Sequence, residues 1–447
     1  MDDILDRFVA EAPVAVLVRA SLAHIVADTT LDALFARVAV AGYTRDLTFS
    51  TLVKLLTKVV FTAQPSVHAA YRHTKGIGVS VTAVYDKLGG LETTVSAALV
   101  QETATALQGV LDHLLPAPKD AIAGLRLRTL DGNFLAGTEH RLDVLRGCGA
   151  AALPGMSLVV RDGRSGLLTQ VIPCEEAYTS ERSLFTDVLP LVQPNDLWLA
   201  DRNFCTEDYL GGIAQRQAFF LVRHHAGTHL QPTGSERYVG KNASGDLYEV
   251  KVPLCGLVCR CIIVRLFKPL RDGSTELRLL TNVPGNKAGA KRLAELYRTR
   301  WHIETAFQEL TENLRCEINT LGYPKAALFG FALAMTAYNL LVFVRQALTC
   351  GPASPAVDEV SSFYLANEVA SVSEGLAIAV PLATWQRLAG LSAKDFAAWV
   401  RGLVVGIDWR TYRKSPRGPK KPVDVKRTQR GAHRSTARVL NEKRHKT

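Results

Sequence analysis

The sequence predicts an α/β fold, a mixed sheet with flanking helices, preceded by an all-helical region. Three observations carry this. Residues 1–115 show helical periodicity with caps and stops. From residue 125 short alternating or fully apolar runs bounded by turn residues take over. A hairpin, a helix and a short buried strand then follow in that order, which suits a layered sheet covered by helices. At 447 residues the chain is long enough for two or three domains.

In the first region helices are expected over 5–40, 51–63, 80–88 and 92–115. Ser80 is placed as an N-cap and Gly89-Gly90 as a stop. After Tyr71-Arg72-His73-Thr74-Lys75 this helix fits either part of a helix-turn-helix or an ordinary short helix. Pro116-Ala117-Pro118 marks a boundary. Residues 125–132 alternate like a strand and end on Asp131-Gly132, and 156–160 with 167–172 form a hairpin around Asp162-Gly163-Arg164-Ser165-Gly166. Residues 183–192 read as a helix. Leu197-Trp198-Leu199-Ala200 is a short buried strand that delivers Asp201. Singly, Asp131 and Asp201 have plain readings as turn or cap residues.

About a hundred residues separate Asp201 from Glu304, far more than one connection needs. They hold strand-like runs at 218–223, 247–254, 258–267 and 276–280, and Arg223 at the end of the first is a candidate DNA contact or an exposed structural arginine. From 290 to 317 no Gly or Pro interrupts, and Leu293, Leu296, Ile303, Phe307, Leu310 and Leu314 form one apolar stripe, so a single long helix is expected. Tyr297, Arg300, Glu304, Gln308, Thr311 and Arg315 line up beside that stripe. Glu304, one turn from Arg300, fits a structural ion pair or an acidic site facing a cleft. Residues 326–348 are apolar enough to span a membrane, but Asn339 and Arg345 interrupt them, and a buried core helix is expected instead. A further helix is expected near 383–404, and Arg417-Gly418-Pro419-Lys420-Lys421-Pro422 should be extended.

The net charge of +11 is concentrated: residues 410–447 carry 14 Lys/Arg against Asp424 and Glu442, while the rest holds 39 basic and 40 acidic residues. Such a tail suits nucleic acid or another polyanion, or simply a solvated end. Eight scattered cysteines without a signal peptide suggest a reducing cytoplasm. Cys255, Cys259 and Cys261 run into an apolar strand, and His224, His225 and His229 lack a ligand partner, so no zinc is predicted.

Tyr297, two residues, Arg300, three residues, Glu304 matches the first three positions of the tyrosine-arginine-glutamate-lysine signature, and Arg300-Trp301-x-Ile303-Glu304 is similar to its flanks. Leu130-Asp131-Gly132-Asn133 and Ala200-Asp201-Arg202-x-Phe204 resemble the first and second acidic motifs of the same group, in the right order. The group is the DDE transposases of bacterial insertion sequences, of the insertion-sequence-four type. The chain departs from it at one place: the signature lysine falls on Thr311, and Arg315, one turn on, is the nearest basic substitute.

The resemblance implies an RNase H-like catalytic core at 120–350 interrupted by a β-rich insertion at 212–286, a helical DNA-binding domain at 1–115, a helical region at 351–409 and the basic tail at 410–447. It implies that Asp131, Asp201 and Glu304 are catalytic and together hold two Mg²⁺ or Mn²⁺ ions. Hard carboxylate oxygens suit such ions, which support in-line displacement at phosphorus. Arg300 and Tyr297 would then contact the DNA backbone, and Trp301 would stack on an unpaired base or pack in the core. The implied partners are terminal inverted repeats and target DNA, bound by a homodimer in the bacterial cytoplasm on the nucleoid, with no membrane. A non-catalytic DNA-binding protein derived from a transposase is the alternative that Thr311 keeps open.

Overall fold

A computed structural model describes residues 3–40, 46–116, 120–137, 142–146, 152–270, 273–351, 355–415 and 434–444. The N-terminal helices are α1 (Asp3–Glu11), α2 (Pro13–Ile25), α3 (Asp28–Val38), α4 (Phe49–Val60), α5 (Val67–Arg72), α6 (Val81–Gly90) and α7 (Thr93–Leu114). The helical stretch expected over 5–40 is thus three helices, with Pro13 opening the second at a position where its missing N–H costs nothing. Side-chain caps fix several starts: the hydroxyls of Thr48, Ser66 and Ser80 accept from the N–H groups of Thr51, Ala69 and Ala83. The Ser80 cap expected from the sequence is among them. The boundary placed at Pro116-Ala117-Pro118 lies largely outside the described residues.

The sheet begins with β1 (Arg126–Phe134), β2 (Met156–Asp162) and β3 (Leu168–Cys174), which run antiparallel in sequence order. After α8 (Phe185–Val188), flanked by short 3₁₀ turns, β4 (Asp196–Ala200) enters parallel to β1. Then α9 (Glu207–Gln215) crosses over and β5 (Phe219–Arg223) lies parallel to β4. The order β3-β2-β1-β4-β5 is that of an RNase H-like core, the fold expected.

β6 (Thr233–Lys241), β7 (Gly245–Leu254), β8 (Leu257–Leu266) and β9 (Glu276–Thr281) form an antiparallel meander, and β9 pairs with β5. The inserted strands therefore extend the core sheet to nine strands in the order β3-β2-β1-β4-β5-β9-β8-β7-β6. The run at 218–223, assigned to the insertion from the sequence, is instead the core strand β5. A short apolar run carries no mark of whether its neighbour is parallel or antiparallel, so the sequence could not place it.

β4 is buried on both faces, as a parallel strand covered by helices should be. Trp198 and Ala200 face a cluster with Leu130, Tyr209 and Phe220, whereas Leu197 and Leu199 face Leu221, Leu293 and Tyr297. Leu293 and Tyr297 belong to α10 (Ala290–Arg298), which is followed by α11 (Trp301–Asn313). The single helix expected over 290–317 is broken here, although the predicted stripe is buried at Leu293, Leu296, Ile303, Leu310 and Leu314. Across the break the N–H groups of Thr299, Arg300, His302 and Ile303 bond to carbonyls three residues back, and the Thr299 hydroxyl caps Leu296. The backbone winds tighter for one turn, without a Gly or Pro to announce it.

α12 (Pro324–Leu348) is the one helix among the described residues long and apolar enough to cross a membrane by itself, yet 94% of its most apolar window is buried within this fold. α2, α4, α6, α7, α11 and β3 pack around it. Its two polar interruptions have partners. Asn339 accepts from the Leu168 N–H and donates to the Leu168 carbonyl, both at 2.8 Å, which occupies the backbone of edge strand β3. Arg345 meets Glu309 at 3.2 Å. The chain continues through α13 (Ser362–Ala379), α14 (Leu382–Ala389), α15 (Ala393–Val404) and α16 (Thr436–Arg444). The helix expected near 383–404 is thus two, α14 and α15. The extended run expected at 417–422 lies outside the described residues.

Candidate active site

Strand register brings the two aspartates together. Thr129 pairs with Leu199 across the parallel β1 and β4, so the same register carried two residues further sets Asp131 beside Asp201. Ala200 pairs with Val222 across β4 and β5, and the next step sets Asp201 beside Arg223. Asp131, within β1, thus forms a row with Asp201 and Arg223 at the carboxyl ends of β4 and β5, neighbours about 4.8 Å apart by strand spacing. Alternation puts the row on the face of Leu197, Leu199 and Leu221, the face that α10 covers.

The tight turn between α10 and α11 then delivers Arg300 and Glu304 to this row. Arg300 Nη1 lies 2.9 Å from Asp131 Oδ2, and Nη2 lies 2.6 Å from Glu304 Oε1. The arginine is only 8% exposed, and its Nε is buried without a hydrogen-bond partner. Asp131 also accepts the Gly132 N–H at 3.0 Å, and Asp201 accepts the Asn203 N–H at 2.8 Å. Burial pushes the Asp131 carboxyl up to about 7; Arg300 pulls the other way, and Asp201 and Glu304 add repulsion.

Three carboxylates, from β1, the end of β4 and α11, therefore gather at one place, and the Arg300 guanidinium pairs with two of them. Their hard oxygens and accumulated negative charge fit a divalent ion of the Mg²⁺ class. Among the described residues no three acidic, histidine or cysteine side chains already sit at metal-ligand spacing. Arg300 holds Asp131 and Glu304 to itself.

The remaining predicted residues divide. Tyr297 is buried, and its hydroxyl donates to the Ala200 carbonyl at 3.3 Å, beside Asp201. The expected contact of Tyr297 with a DNA phosphate does not fit this position: α10 lies flat on the sheet, and the ring is part of that packing. Burial also pushes its hydroxyl up to about 12, so it serves as a neutral donor. Trp301 is 62% exposed, which removes the core-packing reading, and the Arg300 guanidinium lies 5.5 Å from its ring centroid. Arg315 is turned away from the carboxylates and bonds the Pro65 carbonyl, while its N–H bonds Val60. Arg315 therefore ties α11 to the end of α4 and does not replace the signature lysine. Thr311 spends its hydroxyl on the Phe307 carbonyl of its own helix, at 3.0 Å.

Sequence reasoning missed Glu181. It sits on the opposite face of β1, where its Oε2 accepts from Asn203 Nδ2 at 3.3 Å and its Oε1 lies 2.0 Å from where a Gly132 Cβ would stand. Burial raises its carboxyl, Asn203 lowers it, and the nearby charge of Asp201 raises it again. The only signal in the sequence is Gly132, the glycine that follows Asp131 in a strand.

Residues 154–340 match the family model of the transposase DDE domain, a span that includes Asp201 and Glu304 and begins after Asp131. A comparison with curated proteins finds no match. Among solved structures, the chain is similar to the piggyBac transposase synaptic complex with hairpin DNA, seen by cryo-EM, at 10% identity and a TM-score of 0.37, over 82% of this chain and 83% of that one.

Proposed function

We propose that this protein is a transposase of the insertion-sequence-four type that cuts DNA at the terminal inverted repeats of its element and joins the ends to target DNA. The observation that carries the reading is the convergence of Asp131, Asp201 and Glu304 from two parallel strands and one helix, within a chain whose residues 154–340 match the transposase DDE domain. Asp131, Asp201 and Glu304 would hold two Mg²⁺ or Mn²⁺ ions, which when bound supply the activation of a water or 3′-hydroxyl and the charge neutralisation that in-line displacement at phosphorus needs.

The chain's own residues do the rest. β1 and β4 fix the two aspartates through backbone pairing, and Tyr297 holds the end of β4 through the Ala200 carbonyl, which keeps Asp201 in place. Arg223, next to Asp201 in the row, faces the incoming DNA backbone. Trp301, exposed beside the acids, offers a stacking surface to an unpaired base, a contact worth about 1–3 kcal/mol. The helical domain at 1–115 and the basic tail bind the repeats and the surrounding duplex. A homodimer pairs two ends, and the reaction takes place on the nucleoid in the bacterial cytoplasm.

Thr311 and the engagement of Arg315 with the end of α4 favour one second reading, a transposase-derived protein that binds DNA without cutting it. Strand cleavage of a labelled duplex carrying the element's own ends, with Mg²⁺, separates the two. Native protein should nick at the ends, whereas Asp131→Ala, Asp201→Ala and Glu304→Ala should bind with similar affinity and cut at least a thousandfold more slowly. Binding without any cutting by native protein would transfer the assignment to the second reading.

A further inference from the structure

Arg300 neutralises two of the three acids from inside the protein. Its guanidinium is shielded from solvent and engages Asp131 and Glu304 at ion-pair distance. A group that clamps an external phosphate has to present its donors outward, and these two face inward. A divalent cation and the guanidinium also compete for the same oxygens, because Asp131 Oδ2 and Glu304 Oε1 cannot serve both in full. Two features allow the arginine to leave. Its Nε makes no hydrogen bond, so the bonds that hold the guanidinium run to the two carboxylates, the groups that metal would claim. The turn that carries it is wound with bonds three residues back between two α-helices, a local geometry that one rewound turn converts to ordinary helix.

We propose that Arg300 is an internal counter-cation that closes Asp131 and Glu304 to divalent metal until a DNA phosphate draws it away, so that DNA binding and metal binding are coupled at this site. The inference rests on the transposase reading. Arg300 paired to the carboxylates and Arg300 paired to phosphate are the two states. DNA stabilises the second, which is also the state with free carboxylate oxygens. Coupling between two ligands is reciprocal, so DNA must tighten metal by the same factor as metal tightens DNA, typically 5–150-fold. The nuclease centre then assembles only on its substrate. Exposed Trp301, against which the guanidinium rests, marks the side from which the backbone approaches.

The test measures Mn²⁺ binding by the full-length protein, from the free Mn²⁺ signal in electron paramagnetic resonance. Titrations are made with and without a duplex already cut at the repeat end, after subtraction of the duplex alone. Native protein should bind Mn²⁺ at least tenfold more tightly with the duplex than without it. Arg300→Gln should bind Mn²⁺ without DNA as tightly as native protein does with DNA, and the duplex should change its affinity less than twofold. Equal Mn²⁺ affinity of native protein with and without the duplex overturns the proposal, as does weakened metal binding in folded Arg300→Gln. If Arg300→Gln does not fold, the two native titrations decide. Failure of the transposase reading looks different: no Mn²⁺ binding that Asp201→Ala abolishes would be found in either condition.

Discussion

Two glycines of the sheet differ in what a methyl group would meet. At Gly245, which opens β7, an added Cβ would lie 2.0 Å from the Arg265 carbonyl oxygen and 2.7 Å from its carbon, so the backbone of the neighbouring strand must move. Gly245→Ala should cost about 2–3 kcal/mol of stability, an overpacking penalty, measured by chemical denaturation. At Gly132 the obstacle is the tip of the Glu181 side chain, which can rotate away. Gly132→Ala should cost about 1 kcal/mol or less, and no measurable stability when Glu181 is also alanine. At this scale Asp131, Asp201, Arg300 and Glu304 were legible from local motifs, because each motif is a run of neighbouring residues. The inward positions of Tyr297 and Arg315 were not, since a helical wheel gives the side of a helix and not what lies against it. Glu181 was hidden for a related reason: it reaches Gly132, on the other face of β1, across the chain from a 3₁₀ turn with no spacing of its own.

Helices and strands hold the site through a few buried polar links. Glu309 on α11 accepts from Arg345 of α12 and from Ser362 of α13, at 3.2 and 2.8 Å, and both charged side chains are largely buried. Glu309→Ala would leave the Arg345 charge unpaired inside the core and should cost about 3–5 kcal/mol in chemical denaturation. His24 links α2 to α15 by stacking on Phe396 with ring centroids 4.2 Å apart, and burial holds its imidazole below the ordinary value. The unfolded chain therefore takes up a proton before the folded one does. The stability this site contributes is present above about pH 6.5 and declines as pH falls through and below it. Melting temperatures across about pH 5–8 should fall on the acid side less steeply for His24→Phe than for native protein. Element types followed from periodicity and capping. The break between α10 and α11 did not, because a turn tightened by backbone bonding alone leaves the apolar stripe intact.

Across the whole molecule, the inserted strands continue the core sheet, so the row of Asp131, Asp201 and Arg223 has rigid strands on both sides. The sequence showed an insertion by its length but not its docking, which depends on the single pairing of β5 with β9. The basic tail is anchored at both described ends: Tyr412 is buried, Arg413 bridges to Val360, and α16 packs Val439 against Leu145 and Ala152. Deleting the tail would therefore disturb the body as well. Neutralising only Arg417, Lys420, Lys421, Lys426, Arg427 and Arg430 to glutamine is the cleaner change. Duplex affinity should then depend less steeply on salt, by roughly 0.9 in the log-log slope for each DNA phosphate the tail no longer neutralises. An unchanged slope would place the electrostatic anchor elsewhere.

The claim on which all of this depends is that Asp131, Asp201 and Glu304 act by holding divalent metal, and exchange of ligand softness tests it most directly. Asp131→Cys and Asp201→Cys should fail to cut end-bearing duplex with Mg²⁺, which binds sulfur poorly, and should regain cutting with Mn²⁺, while the alanine variants stay inactive with both. Cysteine variants that cut as well as native protein with Mg²⁺, or alanine variants that Mn²⁺ restores equally, would contradict it.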